Sequence, residues 1–251
     1  MAHRDQLIDF AGQPLFGTQK RSLLIDLRSL HRARAYIGEF GLSGYSQVIT
    51  SSLCDRLCER WMGVDTLPGP LNPADGEVDD DQISYVPTPY LTLISVFRAA
   101  GVGKHSHLVD YGCGAGRALL VAAALGAASG TGIELQPRLV EQARLNLAAF
   151  KASNDGPFQV LQANAASYSL PTATNLLFFF KPFVGETLQA VVKNISSAVS
   201  GRGQHLTIVY LNDAEFRPLA AREGWRERKR GVALSRTRWP VPWAIYETPE
   251  G

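Results

Sequence analysis

The stretch His107-Leu-Val-Asp110-Tyr-Gly112-Cys-Gly114-Ala-Gly116-Arg117-Ala-Leu-Leu-Val-Ala carries the decisive pattern of this chain. An apolar strand ends in Asp110. Three alternate glycines follow, and a helix starts behind them. Glycines let the chain turn sharply and let a ligand touch the backbone with no Cβ in the way. The helix start then presents free N–H groups to a polar ligand. A dinucleotide loop, Gly-x-Gly-x-x-Gly, would need its third glycine at position 117. Arg117 stands there. A carboxylate at the strand end also sits poorly beside a pyrophosphate, whereas it suits a cationic cofactor.

Working outward, apolar runs predict strands over 107–111, 130–135, 158–163, 176–180 and 206–211. Helices are predicted over 116–125, 137–150 and 185–199. Strands alternating with helices indicate a parallel sheet covered on both faces. Two further strand-like pieces, 225–230 and 243–247, flank a loop holding Pro240 and Pro242, with no helix between them. The last pair is therefore read as antiparallel. Glu134 closes the second strand, where a carboxylate takes both hydroxyls of a ribose. Asn164 follows the third strand, and its amide suits an adenine edge. Asp110, the three glycines, Glu134 and Asn164 thus fall in order at successive strand ends.

Upstream, residues 1–64 read as mostly helical. Leu23, Leu24, Leu27 and Leu30 repeat at helical spacing. A second helix is expected from Gln47 to Met62, with Leu53, Leu57 and Trp61 along one side. Pro68, Pro70 and Pro73, with the acidic run Asp75 to Asp81, read as a solvated linker. The division is a helical cap and linker over 1–84 and an α/β domain over 85–251.

Composition agrees. The chain has 251 residues, 45% hydrophobic and 19% charged, with a net charge of +2. That suits a globular protein of one large domain, or one of about 150–180 residues with an appendage. Bulk charge does not mark a polyanion binder. Three cysteines are too few for a disulfide framework. Cys54 and Cys58 read as core packing, and no histidine or cysteine spacing predicts a metal site. The N-terminal sequence lacks a secretory pattern, and the longest apolar run, Ala118 to Leu125, is too short to span a bilayer. The expected location is the cytoplasm. Residues 222–238 carry seven basic against two acidic side chains. Edge protection, docking of an acidic protein surface and RNA contact all fit that excess.

The ordered strand-end residues resemble class I S-adenosylmethionine-dependent methyltransferases from about Tyr85 to the C-terminus. The resemblance implies a Rossmann-like, seven-stranded, mostly parallel sheet with an antiparallel last strand. It places Gly112, Gly114 and Gly116 along the methionyl part of S-adenosylmethionine, Asp110 at its amino group, Glu134 at its ribose and Asn164 at its adenine. Tyr85-Val-Pro-Thr88-Pro is similar to the Tyr-x-x-Thr cofactor loop of non-SET histone-lysine methyltransferases related to disruptor of telomeric silencing. Bacterial enzymes similar to those include one that methylates a lysine of elongation factor Tu. By that resemblance Tyr85 and Thr88 close over the methionyl carboxylate and the reactive methyl, and elongation factor Tu is the implied protein partner.

Lys181-Pro182-Phe183 ends the fourth strand, where amino-group methyltransferases carry Asn-Pro-Phe or Asn/Asp-Pro-Pro-Phe/Tyr. An amine nucleophile needs acceptors for its hydrogens. Lysine, a donor when charged, cannot replace the amide oxygen. The carbonyl before Pro182 and the Phe183 ring remain. Lys181 either points away or disfavours a charged amine nearby. Tyr85 and Tyr210 are the candidate proton acceptors. Three functions stay open: a protein-lysine methyltransferase, a small-molecule methyltransferase, and a non-catalytic cofactor-sensing or RNA-binding module.

Overall fold

The computed structural model describes residues 27–67, 86–150, 157–203, 205–234 and 240–249. Tyr85, the acidic run, Leu23, Leu24, Arg236 and Arg238 lie outside the described residues. The chain runs α1 (Leu27–Met62), α2 (Tyr90–Ala100), β1 (His107–Tyr111), α3 (Arg117–Ala124), β2 (Ser129–Glu134), α4 (Pro137–Ala149) and β3 (Phe158–Gln162). It continues through β4 (Leu176–Phe180), α5 (Gly185–Arg202), β5 (Thr207–Leu211), α6 (Phe216–Arg222), β6 (Arg226–Leu234) and β7 (Pro240–Glu247).

The strands form one sheet in the order β3-β2-β1-β4-β5-β7-β6. The first five are parallel to their neighbours, and β7 runs antiparallel to both β5 and β6. A parallel sheet is covered on both faces, so its central strands are apolar throughout. Leu176-Leu-Phe-Phe-Phe180 follows that rule, and alternate residues serve opposite cores. Leu176 and Phe178 join Val209, Leu211 and Ile245 under α2 and α3. Leu177 and Phe179 join Ile208, Tyr210 and Tyr246 under α5 and α6. Phe97 of α2 meets Phe178 edge-on at 5.3 Å, while Tyr111 stacks on Phe179 at 4.8 Å.

Three expectations need correction. The helix expected over 47–62 belongs to a longer one, kinked at Gly41. Its leucine side faces out: Leu53, Leu57 and Trp61 are 52%, 66% and 79% exposed. The inward side carries Ser51, Asp55 and Met62 instead. Pro240 and Pro242 belong to β7 rather than to a loop. The first residues of β7 overrun β5, whose register ends at the Leu211–Trp243 pair. The Pro242 carbonyl accepts from Asn212 N at 2.7 Å. Its ring nitrogen faces the same side, beyond the end of β5, so no ladder bond is lost there. The third correction is α6, which the strand-and-helix reading omitted.

Three of the seven basic residues of the stretch are engaged at the sheet edge. β6 is the outermost strand, and Arg226 and Arg228 both reach Glu247 of β7, at 3.0 and 2.9 Å. Arg230 grips buried Asp213 with two bonds of 3.0 and 2.8 Å, and Tyr246 donates to the same carboxylate. Burial alone would raise the Asp213 carboxyl. The hydrogen bonds from Arg230 and Tyr246 outweigh burial and hold it below its usual value. Asp213→Ala removes the buried acceptor that Arg230 and Tyr246 share, while Arg230 keeps Glu227, and is expected to cost about 2 kcal/mol in urea denaturation at pH 7. A depressed carboxyl stabilises the fold above the unfolded-state pKa of about 3.9, and that stability fades as pH falls through the folded value. The gap between wild type and variant should therefore close in acid.

Candidate functional site

The candidate site is built on the C-terminal ends of β1 and β2. Gly112 N and Cys113 N both donate to Ile133 O, at 2.8 and 3.0 Å, which turns the chain back over β2. Gly112 has φ 71, and a Cβ there would stand 2.3 Å from Pro182 Cβ. The glycine loop and the β4 motif are therefore in direct contact. Gly116 has φ 84 and caps α3, and a Cβ there would come 3.3 Å from Ala143 of α4. Cys113 is buried and packs against the Gly132 backbone of β2, where an added Cβ would lie 2.6 Å from its Sγ.

Two buried carboxyls face this loop. Glu134 Oε2 accepts from Gly114 N at 2.9 Å, and Oε1 accepts from Leu135 N and Gln136 N at 2.9 Å each. Burial raises the Glu134 carboxyl, and these three N–H groups oppose the rise. Asp110 is pushed well above the usual carboxylate range by burial first and by the Glu134 charge second. The pair disfavours negative charge on Asp110 and favours a cation beside it.

The other predicted residues divide. Thr88 is buried and its carbonyl points at Arg117, while Tyr85 lies outside the described residues. Asn164 is exposed at the end of β3, where its Oδ1 caps the short turn Ala165–Ser167 by accepting from Ala166 N at 2.8 Å. Lys181 adopts φ 37, and its Nζ lies 3.0 Å from Glu215 Oε1 at the start of α6. Phe183 is buried edge-on to Phe179 at 6.3 Å. Tyr210 is stacked between Phe179 and Phe216, at 5.1 and 4.4 Å, and burial pushes its phenol up. Tyr210 thus belongs to the aromatic core.

Sequence reading missed two residues. Arg117 opens α3 and is 3% exposed. Its Nε donates to Thr66 Oγ1 at 2.7 Å, Nη1 to Asp55 Oδ2 at 3.1 Å and to Thr88 O at 3.0 Å, and Nη2 to Glu59 Oε1 at 2.8 Å. The guanidinium also lies over the Tyr90 ring, 4.4 Å from its centre. Asn146 of α4 is equally buried. It donates to Asp65 O and Ala115 O at 2.7 and 2.9 Å and accepts from Asp65 N at 2.9 Å. The available signal was a lone arginine in an apolar helix start, since a buried guanidinium demands partners.

Residues 109–205 match the family described as methyltransferase domain. The sheet order, with its antiparallel β7 beside β5, is that of a Rossmann-like methyltransferase fold. The fold is similar to magnesium protoporphyrin IX methyltransferase from Synechocystis PCC 6803 with bound S-adenosylmethionine. That match has a TM-score of 0.51 and 13% identity, covering 91% of this chain and 100% of that one. The same enzyme with bound S-adenosylhomocysteine gives 0.50 at 13% identity, over 64% and 82%. An uncharacterized protein from Listeria monocytogenes gives 0.51 at 9% identity, over 62% and 68%. These likenesses establish the fold. No curated protein sequence matches the chain.

Among the described residues no three His, Cys, Asp or Glu side chains gather as for a metal, and no helix is long and apolar enough to cross a membrane. Cys54 and Cys58 lie 3.7 Å apart, and burial with the neighbouring thiol raises Cys58 to about 11. Gly112→Ala combines a positive φ with the collision against Pro182 and is expected to cost about 3 kcal/mol of stability in thermal or urea unfolding.

Proposed function

We propose that this protein is an S-adenosylmethionine-dependent methyltransferase that methylates a protein lysine amine, elongation factor Tu being the acceptor that the sequence resemblance suggests. The observation that carries the cofactor assignment is the buried Asp110–Glu134 pair beneath the glycine loop. Burial and like charge disfavour the Asp110 anion, and a cationic ammonium relieves that cost. Glu134 already takes three N–H groups and keeps one acceptor site for a ribose hydroxyl. When bound, S-adenosylmethionine supplies an electrophilic methyl on a sulfonium.

The chain's own residues then orient and exclude. Asp110 holds the ammonium, and the three glycines let the backbone pass close to the ligand. The Lys181 carbonyl, followed by a proline that offers no competing N–H, accepts a hydrogen of the incoming amine. An amine so held would present its lone pair to that methyl and release its proton to water. Proximity and alignment carry most of the rate in such a displacement. The Lys181 ammonium is engaged by Glu215, which supports a side chain turned toward α6 rather than toward the amine.

Methyl-labelled S-adenosylmethionine mixed with the enzyme and a bacterial lysate should label one abundant protein, with the label on lysine after peptide mapping. Label confined to small molecules would overturn the acceptor and keep the cofactor. Glu134→Ala is expected to weaken S-adenosylmethionine binding at least about tenfold by calorimetry, because a buried acceptor for a ribose hydroxyl and the hold on Gly114 N are lost together. Lys181→Asn suits the positive φ, returns an amide and should keep or raise turnover. A tenfold loss would place the Lys181 ammonium in the reaction.

A small-molecule acceptor is the second reading. A cavity of about 340 Å³ lies among α1, α2 and the β6–β7 hairpin, lined by Ser51, Thr92, Ser95, Leu91, Val232 and Trp243 among others. None of its lining residues is ionisable, and Ser51 is buried with no hydrogen-bond partner for its Oγ. Such a lining fits an uncharged molecule with hydroxyl or amide groups.

A further inference from the structure

Arg117 holds elements that are far apart in sequence. Asp55 and Glu59 come from α1, Thr66 follows α1, and Thr88 precedes α2. Asp55 is fully buried, and its other oxygen accepts from Tyr90 N at 2.8 Å. One carboxylate thus holds both the guanidinium and the first N–H of α2. Between them lie Thr88 and Pro89, so the segment leading into α2 is fixed by α1 through Arg117. Asn146 adds a parallel link from Asp65, just past α1, to Ala115 inside the glycine loop.

The electrostatics point the same way. Arg117 is the first residue of α3, where the helix dipole disfavours positive charge. A cationic cofactor on the adjoining glycine loop disfavours it further. Two carboxylates from α1 offset the guanidinium, leaving a surplus negative charge in the cluster.

We infer that Arg117, held by Asp55 and Glu59, is a positioning residue of the cofactor site, and that α1 belongs to that site rather than to a separable cap. The inference rests on the methyltransferase reading. It gives α1 two duties: it sets the Thr88 loop, and it makes the loop region tolerant of a sulfonium.

The test measures calorimetric affinities of the full chain for S-adenosylmethionine and for S-adenosylhomocysteine, which lacks the sulfonium charge. Arg117→Lys keeps the charge but loses the forked contacts, and should weaken both ligands about tenfold. Glu59→Gln keeps the shape but removes a negative charge, and should weaken S-adenosylmethionine about threefold more than S-adenosylhomocysteine. A purely structural role would move both ligands together. Amide exchange in residues 86–90 should rise in both variants while β1 and β4 stay protected. Affinities of Arg117→Lys within twofold of wild type would overturn the inference, as would an equal loss of both ligands in Glu59→Gln. If Arg117→Lys does not fold, Glu59→Gln decides alone. A wild-type chain that binds neither ligand would overturn the methyltransferase reading instead, and unchanged exchange at 86–90 would then overturn the clamp independently.

Discussion

The buried guanidinium of Arg117 is the interaction on which the rest of the site depends. A charge 3% exposed survives in an apolar surrounding only with partners on every side. Here the partners come from both sides of α1's end, from the Thr88 loop and from an aromatic face. No two of them are adjacent in sequence. Satisfying one side chain therefore fixes where α1, the loop before α2 and the start of α3 must meet, and they meet beside the glycine loop.

The sheet supplies the second constraint. Parallel strands end at one edge, and the loops at that edge inherit their positions from strand register. Asp110 and Glu134 end neighbouring strands, with Tyr111 paired to Ile133. Pro182 comes from the strand on the other side of β1 and reaches Gly112. A missing Cβ at Gly112 is thus a contact requirement as well as a turn requirement. At the far edge, Asp213 gathers Arg230 and Tyr246 and so binds β6 and β7 to the end of β5. Arg226, Arg228 and Arg230 are thus answered within the sheet.

Local pattern was enough wherever a local rule governs the residue. Both β1 and β4 have the bounds that their apolar runs predict, because a central parallel strand must be apolar on both faces. The glycine loop, Asp110 and Glu134 were legible for a similar reason: a tight turn at a strand end leaves few residue types able to fill it. The helical character of residues 47–62 was legible too, but the buried side was not. An apolar stripe normally faces inward, and here Arg117's need for carboxylates turned Asp55 and Glu59 inward and left Leu57 and Trp61 outside. Pro242 misled for another tertiary reason, since a proline harms a strand only where a neighbour needs its N–H.

By itself, then, the sequence determined the alternation of strands and helices, the antiparallel end and the acid–glycine–acid set at the strand ends, because each follows from short-range periodicity or backbone sterics. Tertiary structure alone decided which face of α1 is buried, that Lys181 meets Glu215, that Phe183 and Tyr210 lie within an aromatic core, and that Arg117 is a hub rather than a residue out of place. Those outcomes turn on which charges and rings lie within a few ångströms of one another. That proximity is set by the packing of elements dozens of residues apart.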